Sequence, residues 1–157
     1  MEQLERTRRY LQRIRNIYAG VPYISETREY HTDDVFSFFV HCHHIKDWVV
    51  SIRRFRATSK EVDKFINSHQ ELRICADLCN GTKHCRLTRN MRTKRQPHMA
   101  RKTFESDGNQ GVFHTTKGQL SILSDGKFYD ALVLAESCMR LWDDFIARKS
   151  ATAGMES

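Results

Sequence analysis

The sequence predicts one α+β domain, mainly helical, in which a helical bundle carries a small antiparallel β-hairpin insertion before a C-terminal helix. Three observations predict it. Apolar residues recur at helical spacing through the first half of the chain. From residue 103 the texture changes to short apolar stretches broken by Asp-Gly, Gly-Asn and Lys-Gly, which are hairpin signals. Helical spacing then returns from about residue 129. A chain of 157 residues, 39% of them hydrophobic and 29% charged, is long enough for one core and short for two. The domain is expected over 1–149, with 150–157 as a flexible tail.

The first element is an amphipathic helix over 2–19, with Leu4, Leu11, Ile14 and Tyr18 at helical spacing; Gly20, Val21 and Pro22 end it. Thr32, Asp33 and Asp34 read as the cap of a long second helix reaching about Arg54. Phe36, Phe38, Phe39, Val40, Ile45, Trp48, Val49 and Val50 make that helix apolar nearly all round, so it should lie at the centre of the bundle. Ser59 reads as the cap of a short third helix, SKEVDKFINS, and the stretch around CADLCNGTKHCR supplies the fourth. The β insertion follows at about 103–124, with a further turn in SDGKFYD. A last helix over about 129–149 offers Leu132, Leu134, Ala135, Met139, Trp142 and Ile146 for packing.

No apolar run is long enough to cross a bilayer, and the charged N-terminal stretch lacks the apolar core of a secretory signal. Five cysteines, at 42, 75, 79, 85 and 138, show neither a CxxC pair nor zinc-ribbon spacing, which points to reduced thiols and a cytoplasmic setting. The net charge is +7, and its placement is more informative than its size. Between Asp77 and Glu105 there is no acidic residue, while Lys83, Arg86, Arg89, Arg92, Lys94, Arg95, Arg101 and Lys102 fall there with His84 and His98. Such a strip is a candidate phosphate-binding surface for nucleic acid, or else a solvated basic loop. A second basic cluster, Arg6, Arg8, Arg9, Arg13 and Arg15, lies on the first helix.

Two polar stripes interrupt otherwise apolar helices. At about 100° per residue, Arg73, Asp77, Asn80 and His84 fall within a stripe about 60° wide on the fourth helix. On the second helix, His43, His44 and Asp47 form a patch about 100° wide. Buried ionisable groups need partners, so the two patches are expected to face one another. Three uses are open: a structural network, a metal site drawing on His43, Asp47, Asp77 and His84, or an acid–base site beside cationic phosphate binders. The chain has no HExxH, no tandem Glu-x-x-His and no pair of histidines four apart, so no metal and no cofactor is expected. There is also no GxxxxGK[ST], GxGxxG or GxSxG, which removes the P-loop, dinucleotide and nucleophile-elbow chemistries.

The run Asn80-Gly81-Thr82-Lys83-His84, on the last long helix before a basic segment, resembles the signature of HEPN domains. The ribonuclease members of that family carry an arginine, a polar residue, any three residues and a histidine. Asn80 matches the polar position and His84 the histidine, while Cys79 stands at the arginine position. The segments HHIKDW and NGTKH also resemble those of uncharacterised bacterial proteins with HHxxDW-like and NGxKH-like stretches. The HEPN resemblance implies a helical bundle, a homodimer formed across the motif helix, and a place among RNA-targeting toxins, toxin–antitoxin pairs and antiviral defence. In an active version, a metal-independent ribonuclease, His84 would be the acid–base group. Asn80 would then orient phosphate or ribose, Asp77 would hold the histidine tautomer, and Arg73, Lys83, Arg86, Arg89, Arg92, Lys94 and Arg95 would contact phosphate. His43, His44 and Asp47 would support that network. The alternative is a non-enzymatic basic subunit that binds nucleic acid or an acidic protein, its His/Asp network being structural.

Overall fold

A computed structural model describes residues 1–22, 27–84, 87, 91–107 and 115–155. The expected class holds: a helical bundle with a small antiparallel sheet ahead of the C-terminal helix. The helices are α1 (Glu2–Ala19), α2 (Thr27–Ser51), α3 (Ser59–Ser68), α4 (Gln70–Lys83) and α5 (Ala131–Met155). The strands are β1 (Val21–Pro22), β2 (His98–Asp107), β3 (Thr115–Ser124) and β4 (Lys127–Asp130). No helix among the described residues is long and apolar enough to cross a membrane.

Helix α2 occupies the centre, packed against α1, α3, α4 and α5. Val35, Phe38, Phe39, Cys42, Ile45 and Val49 are fully buried on it, as its nearly continuous apolar surface requires. It begins at Thr27, five residues before the expected cap, and stops at Ser51. A short 3-10 turn, Arg53–Phe55, replaces its expected last residues. Thr58, not Ser59, caps α3. Its hydroxyl accepts the Glu61 amide at 3.2 Å while the Glu61 carboxylate accepts the Thr58 amide at 2.8 Å, a reciprocal capping box. Helix α5 runs through Met155, so residues 150–155 are helical.

The sheet is wider than the expected insertion. Strand β2 starts at His98, five residues earlier than predicted, with a bulge between Met99 and Arg101. Strand β3 pairs with β2 along one side; on its other side β1 pairs at Thr115–Thr116 and β4 at Ser121–Ser124. The β3–β4 turn is Asp125-Gly126, with φ of 51° and 80°, as a two-residue hairpin loop requires. Alternate residues Gly118, Leu120, Ile122 and Ser124 of β3 are buried against the helices. Gly118 has no room for a side chain: a Cβ there would lie 2.7 Å from Ile17 Cγ2 and 2.9 Å from Phe104 Cε1.

Between β1 and β4, the middle of β3 has no strand partner on that side among the described residues. The Tyr18 hydroxyl, from the end of α1, fills the gap. It donates to the Leu120 carbonyl at 3.0 Å, accepts the Leu120 amide at 3.1 Å and lies 3.2 Å from Asp130. Burial, opposed by the bond to the Leu120 backbone and reinforced by the Asp130 carboxylate, pushes the phenol up to about 12.

Candidate functional site

The fourth helix buries Leu72, Ile74, Cys75, Ala76, Leu78 and Cys79, and with them Asp77, whose side chain has no exposure at all. A buried carboxylate must be met by donors. The chain supplies them by folding back after the helix. The Arg92 amide donates to both carboxylate oxygens at 3.0 and 2.8 Å. The Thr93 amide and hydroxyl each donate to Oδ2 at 2.7 Å. The Thr93 hydroxyl lies also 2.8 Å from the Arg95 carbonyl, so one carboxylate fixes four residues of backbone.

This clamp sets the alternation of the segment. Thr93 is buried inward, and Lys94 and Arg95 are exposed. The Arg95 amide donates to Asp125 Oδ1 at 2.8 Å, which ties the segment to the β3–β4 turn. Arg92 does not project freely: its guanidinium pairs with Asp63 at 3.1 Å and donates to Asn67, both on α3. Lys83 ends α4 exposed. Lys83, Lys94 and Arg95 make no ion pair among the described residues. Arg101 lies over the exposed Phe128 ring, 5.5 Å from its centroid, and with Lys102 it sits on β2, a sheet edge where charge also discourages strand addition. Arg86 and Arg89 lie outside the described residues.

The helix continues through Gly81, where a Cβ would meet the Gln96 amide nitrogen at 3.1 Å. It does not continue through His84. That residue is the C-cap, with extended backbone at φ −127° and ψ 108°, and its amide bonds the Asn80 carbonyl at 3.1 Å. The stripe therefore ends before the histidine. The His84 ring is exposed and Asn80 half-buried, and neither side chain makes a hydrogen bond among the described residues. Arg73 donates to Gln70 on its own helix, and its Nε is buried without a partner among the described residues.

The two polar patches do not form the expected network. No hydrogen bond or ion pair among the described residues joins His43, His44 or Asp47 to Arg73, Asp77, Asn80 or His84. His44 pairs instead with Asp47 one turn along its own helix, at 3.2 Å. Asp47, exposed, lines a surface cavity with Lys46, Val50, Ser51, Ser59, Val62 and Asp63. His43 is buried and held neutral: burial, then the charges of Lys46 and Arg92, lower its pKa to about 3. Asp77 is bonded to Arg92 and Thr93 rather than to His84, so it does not orient the histidine.

Among the described residues, the side chains of metal-ligand type that converge as a group of three are cysteines. Cys42 on α2, Cys75 on α4 and Cys138 on α5 are fully buried and free, with their sulfurs all within 4.8 Å of one another. Cys79 is also free and buried. Burial pushes the Cys75 and Cys138 thiols well up. Burial acts upward on Cys42 too, but the neighbouring Cys138 and Cys75 thiols and the Trp142 indole turn its shift downward.

No family model matches the chain, and no curated protein and no solved structure is significantly similar to it. The partners that complete the site, Thr93, Asp125 and the α3 pair Asp63 and Asn67, carry no motif. The one sequence signal for them is negative: a carboxylate on an apolar helix face must find donors, and the helix itself has none to offer.

Proposed function

We propose that this protein binds RNA through its phosphates, as a binding rather than a cleaving protein, using the basic surface built on Lys83, Lys94 and Arg95. The observation that carries the reading is the Asp77 clamp. It turns the 91–95 segment so that its middle is buried and its cations are presented, and it does so through backbone amides. The side chains of Lys83, Lys94 and Arg95 have no ion-pair partner among the described residues, which meets the electrostatic requirement for counterion release on a polyphosphate. His84 stands exposed at the adjoining helix end and adds a further polar contact. Cleavage is not proposed, because the Asp77 carboxylate is committed to Arg92 and Thr93 and Cys79 stands where the HEPN resemblance puts an arginine. With the same resemblance we propose a homodimer and a setting in toxin or antiviral systems.

The test is fluorescence anisotropy with a labelled single-stranded RNA over a salt series. The parent protein should bind with an affinity that falls steeply as salt rises. The triple variant Lys83→Glu, Lys94→Glu, Arg95→Glu should bind weakly to every sequence tried. Equal affinity and equal salt dependence in the two proteins would reject the surface. Sedimentation of the same samples reads the dimer.

A further inference from the structure

We propose that Cys42, Cys75 and Cys138 form a binding site for one trivalent thiophilic ion of the arsenic(III) and antimony(III) class, held by three sulfurs between α2, α4 and α5. The geometry is that of three sulfurs from three helices within 4.8 Å of one another, with no exposed edge. Thiolates select soft ions, and the surroundings decide among them. Zinc in protein sites takes four ligands, and no fourth histidine, cysteine or carboxylate joins the three among the described residues. Three thiolates would also leave a zinc site with one negative charge and a monovalent copper site with two. The nearby charges acting on the cluster are the carboxylates of Asp143 and Glu71, which oppose any buried anion.

A trivalent ion bound by three thiolates is neutral and needs no fourth ligand. With arsenous acid the step balances without oxidation or reduction. Three S–H and three As–O bonds break, three As–S bonds form, and the three thiol protons leave with the three hydroxides as water. The cluster gives up little to bind. The Cys75 and Cys138 thiols each donate one weak S–H bond, at 3.4 Å to the Phe39 carbonyl and 3.5 Å to the Glu71 carbonyl. Both carbonyls lie inside helices, where the amide four residues on is already their partner. The Trp142 indole N–H, buried and without a hydrogen-bond partner among the described residues, lies against Cys42 and is placed to donate to a bound sulfur.

The test uses the full chain, reduced with a phosphine because dithiols take arsenite themselves. One equivalent of arsenite is added, free arsenite is removed by gel filtration, and the mass is read under native conditions. Retention of one arsenic per chain is expected, with three fewer reactive thiols. The double variant Cys79→Ala, Cys85→Ala should retain it, and Cys42→Ala, Cys75→Ala and Cys138→Ala should each lose it. Should a single variant fail to fold, the double variant still reports through its melting temperature, which one equivalent of arsenite should raise. No retained arsenic in the parent, retention undiminished in the three single variants, or no rise in melting temperature would overturn the site. Equal retention of zinc would overturn its selectivity.

Discussion

Two stretches of the molecule are rich in basic residues, and the fold treats them in opposite ways. On α1, Arg6 pairs with Glu2 at 2.7 Å, Arg8 with Glu5 at 2.7 Å and Asp143 at 2.9 Å, and Arg13 and Arg15 with Asp34 and Glu136, each at 2.9 Å. Of the cluster, Arg9 alone makes no ion pair among the described residues. Around 83–95 there are carboxylates as well, but Asp77 and Asp125 receive backbone amides, and the side chains of Lys83, Lys94 and Arg95 are left exposed. A run of arginines therefore does not define a binding face. What matters is whether the carboxylates within reach bond the side chains or the backbone beneath them.

The strongest way to break this contrast is to remove the clamp. Asp77→Ala leaves the Arg92 and Thr93 amides without their acceptor and the Thr93 hydroxyl with the Arg95 carbonyl alone, and each buried donor left open costs about 1–3 kcal/mol. A loss of about 3 kcal/mol or more is expected in urea unfolding, with RNA affinity falling alongside. A variant as stable as the parent would mean that the segment holds its shape without the carboxylate.

Acid comes next, because each basic region has a neutral histidine beside it. His41 is lowered by burial and by Arg6, His44 and Arg9, and His43 by burial, Lys46 and Arg92, to about 3. Both folded values lie below the unfolded one, so the neutral form is the one the fold favours. Stability should be whole above the ordinary imidazole range and fall as pH drops from there towards 3, by up to about 1.4 kcal/mol per pH unit for His43. Unfolding curves of His43→Leu between pH 7 and 4 should be flatter than those of the parent. Identical slopes would place the acid sensitivity elsewhere.

The contrast sharpens in binding. Reversing Lys83, Lys94 and Arg95 should reduce the slope of log affinity against log salt by about 2, from about 0.7 per single-strand phosphate contact. Smallest of all, Arg8→Ala with Arg15→Ala should change stability by about 1 kcal/mol at most, since exposed pairs contribute little, and should leave RNA binding where it was. An equal loss of affinity from both sets would make α1 part of the interface.

The helices and their order were legible in the sequence because apolar periodicity records burial directly, and α1 lies where its spacing puts it. The start of β2 was not, because His98, Arg101 and Lys102 have the composition of a basic loop while serving as a charged sheet edge. The helical wheel put His84 on the stripe of Asp77 and Asn80, but a wheel assumes a helix and His84 is where the helix stops. The partner of Asp77 lies fifteen residues on, across a connection whose course no local pattern encodes. The cysteine trio escaped for a related reason. Its members come from three separate helices, and the one hint was that Cys42, Cys75 and Cys138 each fall within helical patterns rather than in a ligand-spaced loop.

The Tyr18 hydroxyl gives the sheet a built-in reporter. Leu120 has its amide and its carbonyl bonded to one phenol carried by α1, in a part of β3 where no strand among the described residues covers that side. Exchange of that amide with deuterated solvent requires the phenol to leave it, so its protection measures the free energy of that opening, whereas the amides in the β2 ladder answer to strand separation. One proton in the sheet therefore reports how firmly the end of a helix is held.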